Sequence, residues 1–289
     1  MNQQDLERAI RKSGGGPNAL DEADDLWARI DLLQQTGRYE LLLSQLVRTN
    51  NKSNLLALVL EANFAYQFES RDLQLTYEVK QNARQKSSID FLRRTPNEDS
   101  VFFELRLLQQ ARSITEVIKV QLEKSKFYRV VMGEQAEKDE VERMKNTIVS
   151  KVQDKHGRPT KFFSTAAGVI NIVVVDVAQS ILGTVDAHDC LLATHGDPGV
   201  EEVYRRQVFG LFQGTHPGYP EHVQSLAKTY EHIRNVLHGV LFLFKERGTG
   251  LLTYRIEQYL MWNPAMITEV RAQSVYADLV TAIPRRSEP

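Results

Sequence analysis

Apolar positions recur with two different periods along the chain, and the changes of period divide it into elements. Leu26, Ile30 and Leu33 fall at helical spacing up to Gly37, and Leu42, Leu43 and Leu46 repeat the pattern, predicting two short amphipathic helices. From Leu55 to Phe68 the chain is apolar on nearly every side, which predicts a helix buried almost all round and capped by Ser53 or Asn54. After Arg71-Asp72 the period drops to two. Leu73, Leu75, Tyr77 and Val79 alternate with polar residues, the signature of a half-buried strand. Residues 87–92 and 101–108 predict two further strands, separated by the turn Pro96-Asn97-Glu98-Asp99.

Helical spacing then returns. Ile114, Val117, Ile118 and Leu122 predict a helix over 113–126, and Val141, Met144, Ile148 and Val152 a charged surface helix over 134–153. Residues 169–177 are β-branched except at Asn171 and Asp176, which predicts a central strand covered on both faces. The stretch 183–216, punctuated by Gly and Pro, reads as loop-rich. A helix over 220–234, strands over 238–244 and 252–262, and a closing helix over about 265–281 complete the pattern. Residues 1–17, ending in Ser13-Gly14-Gly15-Gly16-Pro17, read as a flexible start. Residues 18–52 read as a helical extension, and 53–289 as an α/β domain with a core over about 53–180 and C-terminal additions over 181–289.

Composition narrows the class. The 289 residues are 42% hydrophobic and 25% charged, ordinary for a globular chain. No apolar run approaches the roughly 18–20 residues of a membrane span, and the first residues lack the apolar stretch of a secretory signal. A single cysteine, Cys190, excludes an intrachain disulfide and a zinc site of several thiolates. A cytoplasmic protein with no membrane partner is the expectation. A formal net charge of −1 rules out nucleic-acid binding by bulk charge, so phosphate contacts need a local patch. Lys145, Lys151, Lys155, Arg158 and Lys161 form the candidate patch, against the alternative of a solvated helix face.

Three acids call for an explanation. Glu61 stands inside the apolar helix, Asp90 on the second strand and Glu104 on the third. A carboxylate in such surroundings costs several kcal/mol unless it is paired, hydrogen-bonded or metal-bound. Asp90 and Glu104 flank a short turn and can meet across neighbouring strands. Glu104 and Arg106, two apart, share a strand face, while Phe103 and Leu105 point into the core. Carboxylates so grouped can hold Mg²⁺, with Mn²⁺ as a substitute, and the Leu105 carbonyl could add a ligand. The chemistry served by that set is phosphodiester hydrolysis, with Arg106 stabilising charge on phosphorus.

At Ser88-Ile89-Asp90 and Glu104-Leu105-Arg106 the sequence resembles the PD-(D/E)XK nuclease superfamily, over about residues 53–180. The resemblance implies a restriction-endonuclease-like mixed central sheet flanked by helices, ordered helix, three strands, helix, strand. It also implies Mg²⁺-dependent cleavage of DNA, with Glu61, Asp90, Glu104 and Leu105 as metal ligands and Asp90, Glu104 and Arg106 as the catalytic set. Two positions depart from the pattern: Ile89 stands where proline is usual and Arg106 where lysine is usual. Arginine is effectively never deprotonated, so it cannot act as a base. A homodimer or a subunit of a larger complex would suit such an enzyme. Two rival readings keep the same residues: a nuclease-like scaffold without turnover that binds nucleic acid or protein, and a small-molecule hydrolase with a closed pocket.

Other polar groups have simpler explanations. Asp176 ends the central strand, and Asp186, His188, Asp189 and Cys190 lack the spacing of a metal set. Gly14-Gly15-Gly16 lacks the Lys-Ser or Lys-Thr of a phosphate loop. Tyr254, Tyr259 and Trp262 suit packing better than base stacking.

Overall fold

Six strands lie side by side in the same order in which they occur in the chain. They are β1 (Thr76–Val79), β2 (Ile89–Arg94), β3 (Ser100–Leu107), β4 (Val169–Asp176), β5 (Gly239–Lys245) and β6 (Ile256–Trp262). The pairs β1–β2, β2–β3 and β5–β6 are antiparallel, whereas β3–β4 and β4–β5 are parallel. The computed structural model describes residues 1–14, 19–81, 87–108, 116, 120–121, 123, 134–162, 165–177, 185–197, 208–245 and 256–286. It is an α/β fold built on one open mixed sheet.

Helices cover both faces of that sheet. On one face lie α1 (Gln3–Lys12), α2 (Ala19–Thr36), α3 (Glu40–Arg48), α4 (Lys52–Glu69) and α9 (Glu269–Ala282). On the other lie α5 (Glu134–Val152), α6 (Ala187–His195), α7 (Glu221–Thr229) and α8 (Glu231–Val236). The sheet divides its side chains between the two layers by alternation. Phe103, Leu105 and Val174 face the first, while Phe102, Val173 and Val175 face the second. Strand β4 is buried along nearly its whole length between β3 and β5, as its unbroken β-branched run predicts. The stripe Val141, Met144, Ile148 and Val152 is fully buried, so α5 packs as the crossover between the parallel strands β3 and β4.

Several boundaries differ from expectation for identifiable reasons. Residues 3–12 form helix α1 rather than a flexible start. Asn2 and Asp5 exchange the two hydrogen bonds of a capping box, and Leu6, Ala9 and Ile10 are buried. Helix α4 starts earlier than predicted because Asn51 caps it, accepting from the Ser53 and Asn54 N–H groups. Helix α6 occupies part of the stretch expected to be loop, again through a capping box, here Asp186 with Asp189. The single helix predicted over 220–234 is two, α7 and α8, joined at Tyr230. The helix predicted over 113–126 falls largely outside the described residues, as does Tyr254.

Close approaches hold the second layer together. Gly196 adopts φ +70° just after α6, and Gly210 lies directly against the backbone of residues 194–196. A side chain at either position would collide with backbone. Among the described residues no helix is long and apolar enough to cross a membrane.

Candidate functional site

Helices α4 and α5, from opposite faces of the sheet, line an open cleft of about 870 Å³ together with the start of β2 and the end of β3. Its floor is Asp90, Leu105, Arg106 and Leu107. One wall is α4, through Ser53, Asn54, Ala57, Leu60 and Glu61. The other is α5, through Asp139, Glu142, Arg143, Asn146, Thr147, Ser150 and Lys151, spaced three and four apart on the side away from the buried stripe.

The strand register brings two of the acids together. Phe91 pairs with Phe103 at the last step of the β2–β3 ladder, and just beyond it Asp90 lies close enough to Glu104 to feel its charge. Asp90 is held by its own floor, its Oδ2 accepting the Leu105 N–H at 2.6 Å. Glu104 is completely buried. Its two oxygens each accept from an ammonium group, Lys151 Nζ on Oε1 and Lys161 Nζ on Oε2, the latter at 2.6 Å. Lys151 comes from the end of α5 and Lys161 from the segment that follows it. Glu61, half-buried on α4, accepts the Tyr77 hydroxyl of β1 at 2.7 Å.

These groups act on one another electrostatically. Burial raises the Glu61 pKa well above the usual carboxylate value, and the charge of Asp90 raises it further; the Tyr77 hydrogen bond and Lys151 pull the other way. Asp90 is raised by burial first and by Glu104 second, against Lys151, Lys161 and the Leu105 N–H. The cleft therefore gathers three mutually repelling acids, restrained by two lysines.

A metal suits this set in donor chemistry but not yet in arrangement. The donors are all hard oxygens, the type that Mg²⁺ prefers. Among the described residues, however, no three His, Cys, Asp or Glu side chains are gathered closely enough to hold an ion. Lys151 and Lys161 together bring to Glu104 the two positive charges that a divalent ion would bring. An ion bound here competes with them.

The remaining predicted residues divide. Arg106 is exposed at the cleft floor, two positions beyond Glu104 on the same strand face. Leu105 serves the site through its N–H, given to Asp90. The basic patch is not one surface. Lys145 is buried, bonded to Glu142 at 2.5 Å with its Nζ 5.6 Å over the Tyr230 ring, so it does not face solvent as expected. Lys151 and Lys161 point inward to Glu104. Only Lys155 and Arg158 of the five are exposed, and Arg158 is tied to Asp154 at 2.7 Å. Asp186 and Asp189 serve as the cap of α6, and Cys190 behind them is buried. Tyr259 and Trp262 pack against opposite cores.

Two contributors escaped sequence reasoning. Tyr77 was visible only as an apolar position in an alternating strand. The α5 wall was visible only as a surface, although Asn146, Thr147 and Ser150, short polar residues where a solvated helix usually carries Lys and Glu, were a signal. Comparison with known proteins finds no matching family model, no matching curated protein and no matching solved structure. The site is therefore read on its own geometry.

Proposed function

We propose that the protein is a metal-dependent nuclease hydrolysing DNA phosphodiester bonds on a restriction-endonuclease-like scaffold. The observation that carries the reading is the convergence of Glu61, Asp90 and Lys151 on one cleft, with Glu104 directly beneath it. The order α4, three antiparallel strands, crossover helix α5 and parallel strand β4 is consistent with the core that the sequence resemblance implies. Lys151 also supplies, from a helix, the amine that Arg106 does not supply from the strand.

A bound Mg²⁺ would polarise the phosphoryl oxygen and lower the pKa of a water molecule. Asp90 and Glu104 would hold it, with Glu61 completing the set, only once the ion displaced Lys151 and Lys161 from Glu104. Tyr77 orients Glu61. Lys151 keeps a positive charge beside the place where charge gathers on phosphorus, and Arg106 does so at the floor. One cleft cuts one strand, so cleavage of both strands of a duplex would call for a homodimer or a larger assembly.

A rival reading, a binding scaffold without turnover, draws support from the two lysines that already neutralise Glu104. Purified protein incubated with Mg²⁺ or Mn²⁺ and with closed-circular plasmid and circular single-stranded DNA separates the two. A nuclease linearises or nicks at least one of them, and Asp90→Asn and Glu104→Gln abolish the cutting. A folded wild-type protein that leaves both circles intact is the scaffold.

A further inference from the structure

We infer that the cleft between α4 and α5 admits a single polynucleotide strand, or the single-stranded end of a longer nucleic acid, and excludes an intact duplex. The inference rests on the nuclease reading above and specifies its substrate.

Size is the first argument. A cleft of about 870 Å³ lies within the range of roughly 300–1,000 Å³ that accommodates small-molecule ligands. That is room for a short stretch of one strand. Depth is the second. Glu104 has no exposed surface and Asp90 is half-buried, so a scissile phosphate must descend between the two helices to reach them. Duplex DNA is stiff over about 150 base pairs, and each of its phosphates is carried on a cylinder with the complementary strand attached. A single strand bends freely and can lower one phosphate to the floor.

The chemistry of the walls is the third argument. Recognition of a duplex backbone calls for rows of Lys and Arg. Here the facing walls offer instead neutral donors and acceptors: Ser53 and Asn54 on α4, Asn146, Thr147 and Ser150 on α5. Amides and hydroxyls can hydrogen-bond base edges, which become fully accessible only when a strand is unpaired. The cations on the cleft are few, and two of them are already paired, Arg143 with Glu140 and Lys151 with Glu104, so they cannot serve the two backbones of a duplex. Asp139 and Glu142, on the same face of α5, repel phosphates from that wall and leave the floor beside Arg106 as the place for one backbone.

The test uses the full chain with Mn²⁺ and three substrates of one sequence: a single-stranded oligonucleotide, the blunt duplex, and the duplex bearing a single-stranded flap. Cleavage of the single strand and the flap at least about ten times faster than the duplex is expected, a difference of about 1.4 kcal/mol. Equal or faster cutting of the duplex overturns the inference and leaves the nuclease reading standing. Cleavage of none of the three overturns both. A binding measurement tests the same point without turnover. Ala57→Trp and Asn146→Trp, which place an indole in the cleft, should each weaken binding of a fluorescent single strand at least about ten-fold in anisotropy titrations, with helix content unchanged. Undiminished binding by both variants places the strand elsewhere and overturns the inference.

Discussion

The ammonium group of Lys161 lies 2.6 Å from Oε2 of Glu104, a residue 57 positions earlier in the chain, and Lys151 takes the other oxygen. A fully buried carboxylate stripped of one partner is strongly destabilising, by about 3–5 kcal/mol where both partners are buried. Lys161 keeps an edge in water, so Lys161→Met should cost less, about 2 kcal/mol. Added Mg²⁺ should restore part of the loss, because the ion supplies the missing charge. Calorimetric melting with and without metal checks both. A melting temperature indifferent to metal would count against an ion site at Glu104.

Glu61 gives a pH dependence of defined sign. Its pKa is raised in the folded protein, chiefly by burial, so the folded state holds its proton over a range where the unfolded chain has released it. The stabilisation from protonated Glu61 is complete below the unfolded value and is lost as pH rises through the folded one. Melting temperature should therefore fall from mildly acid to alkaline pH, and Glu61→Gln should flatten that fall. In a protein of this size a difference of 1 kcal/mol moves the midpoint by about 2 °C. A profile identical in wild type and variant would show that Glu61 does not titrate in this range.

Tyr77 positions Glu61 through its hydroxyl. Removal of an outer partner of a metal ligand typically costs about 10–100-fold in affinity. Tyr77→Phe should weaken Mn²⁺ binding by that order in isothermal titration while leaving the fold intact, since only the hydroxyl is lost. Unchanged affinity would remove Glu61 from the ligand set.

His238 should remain neutral through most of the acid range. It is buried at the start of β5, where its Nδ1 accepts the Asn171 N–H at 3.1 Å. Burial pushes its pKa down to about 4, with Arg271 acting in the same direction. The unfolded chain protonates this imidazole first, so its contribution is present above the ordinary histidine value and is lost as pH falls toward about 4. Titration of histidine-labelled protein by NMR should show the His238 ring unchanged between pH 7 and about 5. A ring at this position titrating at its ordinary value would contradict the buried acceptor geometry.

Gly210 tolerates no side chain. A Cβ there would overlap the backbone of residues 194–196, which cannot swing aside as a side-chain tip can. Gly210→Ala should destabilise by more than the roughly 1 kcal/mol of an ordinary substitution. Gly214→Ala, where nothing lies within 4 Å, is the matched control. Equal urea midpoints for the two variants would show that the loop relaxes.

Periodicity made much of the framework readable, and contact across distance did not. The β-branched run of β4 and the stripe of α5 announced a covered strand and its crossover helix, because each pattern lies within a few turns of chain. Helix α1 was missed because it buries few residues, and α6 because its buried residues, among them Asp189, Cys190 and Thr194, do not read as an apolar stripe. Their capping boxes, Asn2 with Asp5 and Asp186 with Asp189, were present in the sequence and would have marked both. At the site, Asp90 and Glu104 could be set opposite each other because a short turn joins their strands. Lys151 and Lys161 were read as outward-facing, because nothing local records that a parallel crossover returns them to β3. Tyr77 needed knowledge of which residue its strand edge would meet.

The crossover has a kinetic consequence. Strands β2 and β3 form a local hairpin and can pair early, which sets Asp90 and Glu104 side by side while both are still hydrated. Their neutralising lysines arrive only with α5 and the chain that leads into β4. Water should leave Glu104 only with that distant closure, which would put the sealing of the acids among the last steps of assembly. Replacements of Lys151 or Lys161 should accordingly quicken unfolding and scarcely slow refolding.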